Sequence, residues 1–195
     1  MSDKLYEVDM SNQLDNPWND DSVLSIIGVV NDDTKSSLRI SSKYKLKIKQ
    51  EFCHDIPTGK KNYKKEDYDK ERNANRVVLS IMHAYMIYKL ILLNPQIRGE
   101  VKACPENNKR EKVEKYFTIA CNNFNSNLRD RVLLKFRESK RIEGQLIRAP
   151  RSKAHRTALN TLRDRKSRCH RISESDFEEL KSFIKSLYHK QILKK

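Results

Sequence analysis

Apolar residues first gather at Val23-Leu24-Ser25-Ile26-Ile27-Gly28-Val29-Val30, a short β-branched run bounded by polar residues. Such a run predicts a strand. Asn31-Asp32-Asp33-Thr34 follows as a turn signal. Next, Tyr44, Leu46, Ile48 and Phe52 interleave with Lys43, Lys45, Lys47 and Lys49. A period of two predicts a half-buried strand, with the lysines as a ladder on its outer face. Residues 22–52 therefore read as a β-hairpin. Its lysines either touch phosphates or protect an exposed edge from pairing.

Before this hairpin, residues 1–21 show little periodicity and predict a flexible acidic tail. Trp18 lies within it, beside Asp15-Asn16-Pro17, and either docks a protein partner or folds back onto the core. Residues 55–73, with Pro57, Gly59 and mixed charges, predict a loop that enters a helix late. From Val77 to Leu93 the chain is apolar apart from Ser80, His83, Tyr85, Tyr88 and Lys89, and it stops before Asn94-Pro95. That length falls short of the roughly 20 residues of a membrane span and carries a His and a Lys, so it predicts a buried central helix. Being apolar nearly all round, it must be wrapped by other elements or by a second copy of the chain.

The second half repeats at helical spacing. Val113, Phe117, Ala120, Cys121 and Phe124 form one stripe, and Leu128, Val132 and Phe136 a second, extended by Ile142 and Leu146. Ala154, Ala158 and Leu162 form a third, whose small residues allow close packing. Ser173-Glu174-Ser175-Asp176 starts a last helix, close to a capping box, with Phe177, Leu180, Ile184, Leu187 and Tyr188 on its apolar face. The expected fold is α+β and predominantly helical. It places a small N-terminal hairpin against a bundle of about four or five helices, in a single basic domain over 22–195 whose helical part spans 74–195.

Charge changes this picture. The chain has 195 residues, 41 Lys and Arg against 26 Asp and Glu, and a net charge of +15. A charge of that size costs self-repulsion, which a polyanion offsets. It is unevenly spread: residues 1–34 carry eight acids and one base, while 129–171 carry fifteen bases and four acids. Eleven of the fifteen are arginines: Arg129, Arg131, Arg137, Arg141, Arg148, Arg151, Arg156, Arg163, Arg165, Arg168 and Arg171, beside Lys135, Lys140, Lys153 and Lys166. Arginine's planar fork binds phosphate bidentately and stacks on bases, whereas lysine acts as a hydrated point charge. These fifteen residues, with Lys43, Lys45, Lys47 and Lys49, are the candidate nucleic-acid contacts. A solvated charged surface is the bland alternative.

Catalytic and metal chemistry finds little support. Four glycines (Gly28, Gly59, Gly99, Gly144) stand apart, without a P-loop or a dinucleotide fingerprint. Cys53-His54 and Cys169-His170 supply two thiols and two imidazoles, but adjacent side chains diverge, unlike ligand pairs spaced two to four or so residues apart. His155, Asn160 and His170 are residue types of metal-dependent nucleases, yet they fall in a helix-patterned stretch. Cys121 sits on an apolar stripe and reads as a core thiol. Without a secretory or transit pattern at the N-terminus, the four cysteines are expected reduced, in the cytoplasm or nucleus.

The sequence thus predicts an intracellular, non-enzymatic nucleic-acid-binding protein without metal or cofactor. It would contact mainly phosphates, with RNA slightly favoured over DNA. The acidic N-terminus is expected either to compete for the basic region or to recruit a protein through Trp18, and 77–93 to form a homo-oligomer contact. The second reading is a viral matrix- or capsid-associated assembly protein with a basic membrane- or genome-facing surface. A third is an adaptor whose basic face binds an acidic protein.

Overall fold

The computed structural model describes residues 4–11, 14, 18–30, 32–53, 65–104, 110–136, 141–142, 145–146, 152–164 and 168–192. Its centre is a mixed sheet. Three strands, β1 (Leu5–Ser11), β2 (Ser22–Val30) and β3 (Lys35–Ile40), form an antiparallel meander. The helices α1 (Ser42–Phe52) and α2 (Lys65–Leu92) then lead to β4 (Gly99–Ala103), which pairs parallel with β1. Helix α3 (Arg110–Phe124) and a single turn, α4 (Asn127–Arg131), lead to β5 (Val132–Phe136), parallel to β4. After β6 (Arg141–Ile142) and β7 (Gln145–Leu146), which pair with each other, come α5 (Lys153–Arg163), β8 (His170–Arg171) and α6 (Glu174–Ile192). The strand order is β5-β4-β1-β2-β3-β8.

The predicted helix bundle with a small hairpin is thus a mixed α/β fold around a six-stranded sheet. Of the hairpin expected over 22–52, the first strand stands as β2, but its antiparallel partner is β3 at Lys35–Ile40 rather than residues 43–52. The flexible tail does not stand: β1 is a central strand, bonded to β2 on one side and β4 on the other, with Tyr6, Val8 and Met10 buried. Its polar residues hid it, because Glu7, Asp9 and Ser11 occupy the alternate positions of a period-two pattern.

The lysine-ladder strand is also corrected. Residues 42–52 form α1, capped by Ser41, whose side chain accepts from the Tyr44 N–H. Lys45, Ile48 and Phe52 are buried at helical spacing. The stripe Leu128, Val132, Phe136 is divided between α4 and β5. From Val132 onward burial alternates, with Val132 and Leu134 inside and Leu133 and Lys135 outside.

One face of the sheet is apolar. Tyr6, Val8, Met10, Leu24, Ile26, Leu38, Ile40 and Val101 form a single core with residues of α1, α2, α3 and α6. Helix α2 lies at its heart: Val78, Ile81, Met82, Tyr85, Met86, Ile87, Leu90 and Ile91 are all buried within one chain. Of the two expected wrappings for this apolar stretch, the chain's own elements supply one: the sheet, α3 and α6 cover it. Among the described residues no helix is long and apolar enough to cross a membrane.

The other face carries Asp9, Val23, Ser25, Ser37 and Arg39, and α5 lies across it. Ala154 and Ala158, the buried face of α5, stand apart from the main core. Small residues on the buried side of α5 and serines on this face of the sheet let helix and sheet approach closely.

Candidate nucleic-acid interface

Helix α5 is fixed at both ends by polar contacts. At its start, Ser152 accepts the His155 N–H (2.8 Å) as N-cap and donates its hydroxyl to Asp9 Oδ2 (2.7 Å). Asp9 Oδ1 takes the Met10 N–H at 2.8 Å and lies 3.6 Å from His155 Nδ1. Near its end, Thr161 Oγ1 and Ser37 Oγ stand 3.4 Å apart, and Ser37 bonds Ser25 at 2.6 Å. Arg39 Nη2 donates to the Thr161 carbonyl, in the last turn, where a cation suits the helix dipole. Asp9 pairs with Ser25 and Ser25 with Ser37 in register, so α5 runs across the strands from β1 to β3.

With its small side chains turned inward, α5 turns its charge outward. Lys153, Arg156, Asn160 and Arg163 are all exposed. Their spacing of three, four and three residues places them on one face. The sequence pattern of 129–171 as a whole shows no such face; it emerges once α5 is bounded at 153 and 163. Among the described residues, Lys153, Arg156 and Arg163 are held in no ion pair.

The other candidate contacts separate into several groups. Arg168 and Arg171 are exposed beside and within β8, and Arg129 is exposed on α4. Arg131 is structural: Nη1 donates to Pro95 O (2.9 Å) and Nη2 to Ile91 O (3.4 Å), closing the end of α2. Lys135 is bound to Glu100 at 2.5 Å. Lys43 is exposed; Lys47 lies 3.8 Å from Glu174 and over the Phe177 ring. Lys49 is half-buried.

Lys45 cannot contact a phosphate. It is fully buried, and its Nζ donates to Asp20 O and Ser22 Oγ, both at 2.9 Å. Arg141 opens β6, whereas Arg137, Lys140, Arg148, Arg151, Arg165 and Lys166 lie outside the described residues. Trp18 is half-buried and packs against the main core, the fold-back alternative of the two.

The Asp9 cluster is the feature the sequence reading missed. Ser152 is spent as cap and donor, so the group holds a helix in place rather than presenting a free hydroxyl. Among the described residues, no group of three or more His, Cys, Asp or Glu side chains is placed to hold a metal. His155 faces Asp9, Asn160 faces outward on α5 and His170 is exposed on β8. The suggested nuclease set is not brought together. Cys53, Cys104, Cys121 and Cys169 form no disulfide, and burial pushes Cys121 up to about 11.

Comparison with known protein families, curated proteins and solved structures finds no match. Function rests on the geometry of the chain itself.

Proposed function

We propose that this chain is a non-enzymatic nucleic-acid-binding protein that engages backbone phosphates through the outer face of α5. The observation that carries this reading is the stripe Lys153, Arg156, Asn160 and Arg163, exposed and without ion-pair partners among the described residues. Lys153 to Arg163 covers about 15 Å at 1.5 Å per residue. Asn160 adds a neutral donor between charged neighbours. Contacts of this kind fix a protein on a strand without reading its sequence. The remaining Arg-rich residues of 129–171 extend the same charge, and RNA is the favoured polymer on the strength of that arginine content.

Fluorescence anisotropy with RNA and DNA, single- and double-stranded and of equal length, tests this over about 50 to 200 mM salt. Each phosphate contact contributes about −0.9 to the log–log slope on duplex DNA and about −0.7 on single strands. Lys153→Ala, Arg156→Ala and Arg163→Ala together are expected to make the slope shallower by roughly two to three units. Absence of binding by the unaltered protein at the lowest salt overturns the proposal.

A further inference from the structure

The basic stripe ends at a sheet edge where two arginines stand in register. Arg39 on β3 and Arg171 on β8 are Cα partners in a parallel pair, so both point to the face on which α5 lies. The edge is pinned there by the Ile172 N–H, which donates to Arg39 O at 2.9 Å. Like charges on neighbouring strands at the same level repel. An edge strand two residues long gains little from its own ladder bonds, so this repulsion calls for compensation.

Carboxylates give little. Asp21 Oδ2 lies 3.7 Å from Arg39 Nη1, but its partner oxygen is engaged by the Ser42 N–H at 2.8 Å. Asp164, the C-cap of α5, is the other acid in this stretch and has an interaction of its own. Arg39 is 94% buried, with relative exposure of 6%, and its Nε lacks a hydrogen-bond partner among the described residues. Arg171 is exposed and is held in no ion pair among them. The result is a fixed, half-used buried cation beneath a free guanidinium.

From this juxtaposition we infer that Arg171, backed by Arg39, forms a subsite for one backbone phosphodiester, continuing the α5 track onto the sheet edge. The inference rests on the proposed function and adds to it a fixed point of attachment. Arg171 supplies the bidentate fork for the two non-bridging oxygens. Arg39 supplies positive field from below and stays bound to the α5 carbonyl. Such a contact is sequence-independent and suits the phosphates of RNA and DNA alike.

Arg171→Ala and Arg171→Lys in the full chain test it, because an exposed edge residue can be replaced without opening the core. With a 20-nucleotide RNA in the anisotropy titration, Arg171→Ala is expected to make the slope shallower by about 0.7. Arg171→Lys is expected to keep the slope and weaken binding several-fold, since the charge remains and the fork is lost. If Arg171→Ala retains both the slope and the affinity of the unaltered protein, the subsite is overturned while the α5 reading stands. If the unaltered protein does not bind, both fall.

Discussion

Two side chains make stability depend on pH in one direction. Burial pushes His83, inside α2, down to about 4 from an ordinary 6.5, with the charge of Asp9 opposing. The folded chain therefore keeps this imidazole neutral where the unfolded chain protonates it. Stability is fully present above about 6.5 and falls as pH drops toward about 4, by up to about 3 kcal/mol from this group. Asp32 adds to the trend further down. Its burial alone would raise it, but hydrogen bonds from Lys4, Thr34 and Tyr6 hold its carboxyl well below the usual range. Its contribution is present above the unfolded carboxylate value and is lost as pH falls through the folded one. Urea midpoints are expected to drop between pH 7 and pH 5, and His83→Gln to flatten that drop. An equal drop in His83→Gln would assign the effect elsewhere.

At the level of elements, α5 is the part whose seating can be altered without touching its charge. Ala158 is buried against the sheet, so Ala158→Leu forces α5 outward, at a cost of about 1–3 kcal/mol. Ser152→Ala removes both the cap and the Asp9 bond, leaving a buried carboxylate oxygen short of a donor. About 2 kcal/mol is expected, read as a lower thermal midpoint, with nucleic-acid affinity falling only where α5 detaches. The capping box of α6 was legible in the sequence and closes reciprocally: Ser173 N donates to Asp176 Oδ2 at 3.0 Å and Asp176 N to Ser173 Oγ at 3.1 Å. So were β2 and the apolar second half of α2, over 77–92; β3 and the first turns of α2, where polar residues blur the period, were not. Residues 43–49 were not, because an alternation of lysine with apolar residues also satisfies Lys45, Ile48, Phe52 at helical spacing, and tertiary burial decided between them. β1 was missed because α5 covers its polar side, so two of its five buried positions are Asp and Ser rather than Val or Ile. Of the candidate site, the Arg-rich region was legible as charge; which arginines share a face depended on where α5 starts and stops.

On the scale of the whole molecule, the N-terminal segment is a central part of the sheet. Deleting residues 1–20 removes β1, so loss of cooperative unfolding is expected rather than tighter binding. Competition by the acidic segment is better tested by neutralising Asp20 and Asp33, both exposed. Gly99 shows how closely the first and fourth strands meet: at φ 113° it begins β4, and a Cβ there would come within 2.6 Å of the Lys4 carbonyl. Gly99→Ala is expected to destabilise the pairing, measurable as faster amide exchange at Glu100, whose N–H donates to Lys4 O at 3.1 Å. The central position of β1 also sets a timetable. During synthesis this strand is made first and finds β2 soon after, yet its other edge stays bare until residues 99–103 exist, and its polar face until α5 is made. A chain interrupted between those points displays an unpaired strand edge, the kind of surface on which other unfinished chains assemble.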